Sequence, residues 1–345
     1  MRFGKVLASL VLAQLLVLDC GARAAEPLPV SIGIVGALSD VVIFIAEKKG
    51  YLKEEGFEPK LLMFPSAANM VAPLGAGQLD VGAGSTSAGL FNAVAQGVKL
   101  RIVADKASSR PGYGVTQLII AKRHIDSGRY KSFADLKGMK IAQSGTGTPN
   151  VVTLADIAKL GGLRPTDVEN TILPFPNHVV ALENGAVDGS IASEPTASVL
   201  LKRGLGVSVK RDDEVVPNHS IGQLLYSEGF AARPEVAKRF VRAYLRAARF
   251  YNDALKDGKL AGPTAPDVVE ILTQSTPFKD PGLFRSILPH GLDPDGRVSV
   301  ASLEHDMAFY RSLNLIVGEV KVAQVVDMSF VDAVLKEIGP YKKAN

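Results

Sequence analysis

Apolar residues along this chain keep two rhythms, period two in short runs and period 3.6 in longer ones, and the two alternate. Residues 30–35 (VSIGIV) read as a strand, 36–40 as a loop, and 41–49 as a helix. Gly50 stops that helix, with Lys48 and Lys49 in its last turn, where the helix dipole favours cations. Residues 51–56 read as a turn. A strand at 59–64, a helix at 66–75, a strand at 80–83, a helix at 85–95 and a strand at 99–104 follow. The later part repeats the plan, with strands at 118–121, 140–143, 169–173 and 189–192 and helices at 150–160 and 178–182. From Leu224 the chain returns through an extended stretch. Helices are then expected at 234–255, 266–273, 299–313 and 329–338, with Pro234 and Pro266 at starts that tolerate proline. Strand–loop–helix repetition predicts an α/β fold with mixed, mainly parallel sheets flanked by helices.

One stretch occurs twice. Residues 74–89 read LGAGQLDVGAGSTSAG and residues 182–198 read LENGAVDGSIASEPTAS. Both contain L-x-x-G-x-x-D, as Leu74, Gly77 and Asp80 and then Leu182, Gly185 and Asp188. In each, a helix ends at a glycine and a short apolar strand runs into a loop of small hydroxyl residues. Two α/β halves of this kind point to two lobes closing on a small solute, a binding role rather than a catalytic one. Polar connections near 110–120 and 215–228 are expected to join them. Residues 25–116 plus 225–345 would form lobe I and residues 117–224 lobe II, joined by a two-strand hinge.

The first residues carry a different signal. Arg2 and Lys5 precede an apolar run at 6–18, and Ala22-Arg23-Ala24 supplies small residues at a cleavage site. Residues 1–24 are read as a signal peptide, with Ala25 as a competing cleavage position. A lipoprotein reading would use Cys20, but Asp19 stands where that signal wants a small neutral residue. Cleavage would leave about 321 residues, enough for two lobes. The net charge would fall from +4 to +2, so the balance does not point to nucleic acid. Cys20 would leave with the leader, removing any disulfide, thiolate or Cys-type metal site. A periplasmic location fits an exported chain without disulfides.

The hydroxyl residues fall at expected strand C-termini just before helices: Ser39, Ser66, Ser85-Thr86-Ser87 and Ser144-Gly145-Thr146-Gly147-Thr148. Ligands bind outside the carboxyl ends of strands in open α/β sheets, where helix N-termini offer unpaired N–H groups. Ser39, Asp40, Ser66, Ser85, Thr86, Ser144, Gly145, Thr146 and Glu194 are therefore the candidate ligand-binding residues. Each hydroxyl taken alone reads first as a helix cap and only second as a ligand contact. Only their recurrence in both halves raises the binding reading. Glu194 would accept hydrogen bonds from a ligand or, equally, sit at a helix start with Pro195 in its first turn. Asp40 reads first as a cap. Helix ends and hydroxyls suit a small organic anion, with Arg110 as a candidate charge partner that reads first as a surface arginine at the hinge.

Enzyme signatures are largely missing. Residues 85–89 read S-x-S-x-G rather than G-x-S-x-G. Gly145-x-Gly147 continues to Asn150 where a dinucleotide fingerprint needs glycine. The five histidines form no H-x-x-x-H or H-x-H pair, so neither catalytic residues, a cofactor nor a metal site is expected. His178 is the histidine placed nearest the expected cleft. The run KRFVRAYLRAAR at 238–249 reads as an amphipathic helix with a basic, solvated face.

The segment IAEKKGYLKEEGFEPKLLMF (45–64), the L-x-x-G-Q-L-D-V-G at 74–82, SFADLKGMKIAQSGTGT (132–148) and the second L-x-x-G-x-x-D together carry a family resemblance. The chain resembles the periplasmic substrate-binding proteins of ABC importers of the nitrate/sulfonate/taurine type, a group that includes relatives of the thiamine-pyrimidine-precursor synthase. The resemblance implies a two-lobed receptor of the type II topology, its ligand between the lobes. It implies delivery to an inner-membrane ABC permease, action as a monomer, and no nucleic-acid partner. Sulfonate or carboxylate ligands are expected. A pyrimidine-precursor-binding protein or synthase-like enzyme of the same fold, and a periplasmic sensor partner, are the alternatives. The chain lacks the Trp on which some relatives stack a ring, and the cysteine-rich motif of the synthases.

Overall fold

The computed structural model describes residues 26–343. The expected leader, with Cys20 and both cleavage positions, lies outside them. The strands in chain order are β1 (Leu28–Ile34), β2 (Phe57–Met63), β3 (Val81–Gly84), β4 (Arg101–Ser108), β5 (Thr116–Ala121), β6 (Lys140–Gln143), β7 (Glu169–Ile172), β8 (Gly189–Ser193), β9 (Gly206–Arg211) and β10 (Ser220–Tyr226). They build two five-stranded sheets, in the orders β2-β1-β3-β10-β4 and β7-β6-β8-β5-β9. In the first, β1 pairs parallel with β2 and β3, while β10 runs antiparallel to β3 and β4. In the second, β6 pairs parallel with β7 and β8, while β5 runs antiparallel to β8 and β9. The reversed strand is fourth in each order, and in each it is the strand that enters from the other lobe. The fold is thus the expected two-lobed α/β architecture with one reversed strand per sheet.

Most helices lie where the periodicity puts them, as at Val41–Lys48, Pro149–Leu160, Pro234–Ala254, Val300–Ser312 and Ser329–Ile338. Several details differ. Residues 51–54, expected as a turn, form a helical turn after Gly50, whose φ of 78° only glycine adopts without strain. The helix expected from 178 begins at Phe175, because Pro174 and Pro176 preset its first turn. The strand expected at 99–104 is shifted to Arg101–Ser108. β9 was not expected: SVKR within it breaks the apolar alternation at the sheet edge, where its side chains are half-exposed.

The helix Pro234–Ala254 anchors the first lobe. Phe240, Val241, Tyr244, Leu245, Ala248 and Tyr251 recur at helical spacing and are buried in one cluster with Val30, Ile32 and Leu224. Its opposite face carries the basic run. Arg242 pairs with Glu55 and Glu337, Arg246 with Glu54, and Arg249 with Asp295. These cations brace the lobe's outer surface.

The repeated aspartates also have a fold role. Asp80 Oδ2 accepts the Ser31 N–H at 2.9 Å and the Ser31 hydroxyl at 2.7 Å, tying the entry of β3 to β1. Asp188 Oδ2 accepts the Lys140 N–H at 3.0 Å, tying the entry of β8 to β6.

The chain passes between sheets at residues 109–115 and 212–219. The division expected at 224/225 falls inside β10, all of which pairs in the first sheet. The two passages are fastened together. Asp212 accepts the N–H groups of Val115 and Thr116 at 3.1 Å, Asp213 accepts that of Gly112 at 3.0 Å, and Ser109 N–H donates to His219 O at 2.9 Å.

Candidate functional site

Strand C-termini from both sheets meet across the cleft between the lobes. From the first lobe come the loops after β1, β2 and β3, carrying Ser39, Ser66 and Ser85. From the second come the loop after β6, with Ser144 and Thr148, and the end of β8, with Ser193. Together with Thr116, Asn150 and Lys106 these residues line a cavity in which the centre of a water molecule can reach about 50 Å³. That leaves room for a few water-sized groups. Val35, Ala107, Val115, Pro149, Phe175 and Ile221 supply its apolar surface.

The lobes touch around this cavity. Leu38 N–H donates to Glu194 O at 2.8 Å, and Ala88 N–H donates to Gly147 O at 2.9 Å. His305 Nε2 lies 3.0 Å from Asp156 Oδ2. A Cβ at Gly145 would lie 3.2 Å from Ser66 Oγ, so the absence of a side chain there lets the facing loops approach.

Lys106 is the charged residue of the wall. Its side chain is 2% exposed, and its Nζ donates to Asp40 Oδ1 at 2.8 Å and to Ala83 O at 2.7 Å. It reaches that position past Gly222, where a Cβ would stand 3.0 Å from Lys106 Cε. Asp40 is fully buried behind the wall. Its other oxygen accepts the N–H groups of Val35 and Gly36 at 2.9 and 2.8 Å.

Of the candidate residues, Ser39, Ser66, Ser85 and Ser144 line the cavity. Asp40, Thr86, Gly145, Thr146 and Glu194 do not, each for a structural reason. Asp40 is spent on Lys106 and the β1 loop rather than on capping the following helix. Thr86 is buried with its N–H on Gln223 Oε1 at 2.6 Å. Gly145 spaces the lobes, and Thr146 is exposed. Glu194 Oε2 accepts the Ser198 N–H at 3.0 Å, and Oε1 accepts the Leu288 N–H of the first lobe at 3.3 Å. Burial pushes the Glu194 carboxyl up, with the Ser198 and Leu288 donors offsetting part of the rise.

Arg110, the candidate charge partner, pairs with Asp293 at 3.3 Å away from the wall. The charged side chain in the wall is Lys106 instead. The sequence signal for it was a lysine between two alanine-bearing apolar stretches in RIVADKAS, a charge inside a strand. His178 is buried beneath the cleft, bonded to Ser190 Oγ at 2.8 Å and Leu173 O at 2.9 Å. Burial pulls its pKa down to about 4, so it stands neutral in the second lobe's core. Among the described residues no group of His, Cys, Asp and Glu is arranged to hold a metal ion, and no helix is long and apolar enough to cross a membrane.

Residues 23–262 match the model of the NMT1-like family. The 4-amino-5-hydroxymethyl-2-methylpyrimidine phosphate synthase of Aspergillus parasiticus is 27% identical over 229 residues, 60% of this chain and 61% of that protein. The taurine-binding periplasmic protein of Escherichia coli K12 is 26% identical over 206 residues, 58% of this chain and 60% of that one. The chain thus spans about three fifths of the length of these curated relatives. Among solved structures, the alkanesulfonate-binding protein SsuA from Xanthomonas axonopodis pv. citri, bound to MOPS, superposes with a TM-score of 0.71 at 19% identity, covering 88% of this chain and 99% of that one. The periplasmic nitrate-binding protein NrtA from Synechocystis PCC 6803 gives 0.69 at 14% identity, covering 91% and 90%. At these identities the structural likenesses speak for the two-lobed fold.

Proposed function

The chain belongs to the NMT1-like family, and from that premise we propose that it is the periplasmic solute-binding component of an ABC uptake system, holding a small organic anion between its lobes and delivering it to the permease. The observation that carries this reading is the cavity formed by both lobes, with one buried ammonium group in a wall of hydroxyls and apolar side chains. A guest that touches both walls gains contacts only on closure, and so stabilises the closed form. The names of the sulfonate-, taurine- and nitrate-binding relatives support the same class of guest.

The relatives named as pyrimidine phosphate synthases favour a second reading, an enzyme of the same fold. Against it stands the character of the wall, whose ionisable group is a lysine already paired with Asp40. A thermal-shift screen of sulfonates, short carboxylates, nitrate and pyrimidines separates the readings, since a guest that binds only the folded state raises Tm. A shift by a sulfonate or carboxylate supports the binding role. A shift by pyrimidines alone, or product formed by purified protein with pyridoxal phosphate, overturns it.

A further inference from the structure

We infer that the guest carries a single negative charge and no ammonium group, and that Lys106 selects it through its one uncommitted N–H. This rests on the reading that the cleft takes a small organic anion, and it narrows that class.

The argument begins with donors and acceptors. An ammonium group has three N–H donors. Lys106 commits two, to Asp40 Oδ1 and Ala83 O, which fixes the head against the first lobe. The third is left for a group in the cavity, because Lys106 itself forms part of the wall. The Lys106–Asp40 pair is neutral as a unit. One anionic group is met by the free N–H and the surrounding hydroxyls of Ser39, Ser66 and Ser85, whereas a second would enter without a cation.

An ammonium group on the guest fares worse. Neither Asp40 nor Glu194, the carboxylates nearest the loops in sequence, belongs to the wall, and among the described residues no aspartate or glutamate does. Asp40 is occupied by Lys106 and two backbone N–H groups. Glu194 is occupied by Ser198 and Leu288. A cationic guest group would therefore lose its water without gaining a carboxylate. A methyl or methylene in the same position meets Val35, Val115, Phe175 or Ile221 instead.

The test compares isosteres by calorimetry on the full mature protein. Propane-1-sulfonate and taurine differ by CH₃ against NH₃⁺, as do butanoate and 3-aminopropanoate. The expected result is at least one desamino monoanion bound tenfold or more tighter than its amino counterpart. Equal or tighter binding of the amino compound overturns this inference while leaving the anion-binding reading in place. If all four compounds and nitrate fail to bind, both fall together. The double variant Lys106→Met/Asp40→Asn removes the charges as a pair and avoids an orphaned buried ion. It should melt cooperatively and bind the preferred anion at least tenfold more weakly. Unchanged affinity in a folded double variant refutes the assignment to Lys106. Should that variant fail to fold, the isostere comparison on the unaltered protein still decides the ligand class.

Discussion

Asp80 in the first lobe and Asp188 in the second occupy the same place in the L-x-x-G-x-x-D repeat, and both clamp a β-strand to its parallel neighbour through a backbone N–H. At the opposite, cleft-facing ends of the sheets the likeness stops. The first lobe brings the buried Lys106–Asp40 pair to the cavity. The second brings Ser144 and Thr148 from the loop after β6, Asn150 from the first turn of the following helix and Ser193 from the end of β8, all neutral side chains. The repeat therefore encodes scaffold, and the lobes differ where they line the cavity. On the proposed binding role, charge confined to one wall would assign the anion to that lobe, with the neutral side chains of the other adding hydrogen bonds.

The sharpest way to break this comparison is to disarm the charged wall. Asp40→Ala leaves a buried ammonium without its carboxylate and strips the acceptor from the Val35 and Gly36 N–H groups. Breaking a buried pair in this way costs about 3–5 kcal/mol. Denaturant unfolding should show that loss, with the first lobe melting ahead of the second. A loss below 1 kcal/mol would mean that the pair does not organise the lobe. No residue of the second lobe's wall carries a comparable burden.

The repeat itself supplies the next test. Asp80→Ala and Asp188→Ala each leave a strand N–H without its acceptor, an expected cost of about 1–3 kcal/mol. Ligand affinity, measured on the folded variants, should stay within about twofold, because both sites lie at the far ends of β3 and β8. Asp188 should be the costlier, since its carboxylate also bonds His124 Nε2 at 2.6 Å and pairs with Arg129. Affinity that collapsed along with stability would make the repeat part of the binding machinery.

These contrasts also mark how far the sequence could be read. Alternation and helix stops located both sheets, because buried parallel strands such as VGAG at 81–84 are short, apolar and bounded by glycine. The serine-bearing loops were legible for the same reason, as strand ends before helices. Glu194 and Asp40 misled because a carboxylate in such a loop is equally suited to backbone N–H groups, and only the fold shows which it meets. Lys106 was hidden more thoroughly. Its partner Asp40 is 66 positions away, and the space beside its stem depends on Gly222, on the strand β10 that returns from the second lobe. Arg110 was the better candidate by position alone, yet Asp293 takes its charge.

A milder variant separates serine contacts from serine packing. Ser85 lines the cavity, and Thr86 beside it is turned into the first lobe. Ser85→Ala removes one hydroxyl from the guest's surroundings, worth about 1 kcal/mol or roughly fivefold in affinity. Thr86→Ala keeps its backbone bond to Gln223 and should change affinity less than Ser85→Ala does. The reverse order in calorimetry would place Thr86, not Ser85, against the ligand.

The smallest expected effect is a pH response that sets the passages between lobes apart from the repeat. Burial raises the Asp105 carboxyl to about 6, against the donors of Asp293, Ser108 and Ser220. Burial raises Asp212 to about 7, against the favourable field of His219. A carboxyl raised on folding keeps its proton where the unfolded chain has lost it. Its stabilising contribution is fully present below the ordinary value near 3.8 and disappears as pH rises through about 6 to 7. Asp188 has the opposite sign. Burial lifts it, but the Lys140 N–H and His124 outweigh that and hold it below its ordinary value. Its contribution is present above that ordinary value and fades as pH falls through the lowered one. Lowering the pH from 7.5 to 5.5 should therefore raise Tm by about 2–4 °C, through Asp212 in the second passage and Asp105 in β4, and not through the repeat. Asp212→Asn should flatten that rise, while Asp188→Asn should leave it intact and blunt only the loss of stability in stronger acid. If Asp188→Asn removed the rise instead, the division between a titrating hinge and a clamped scaffold would be wrong.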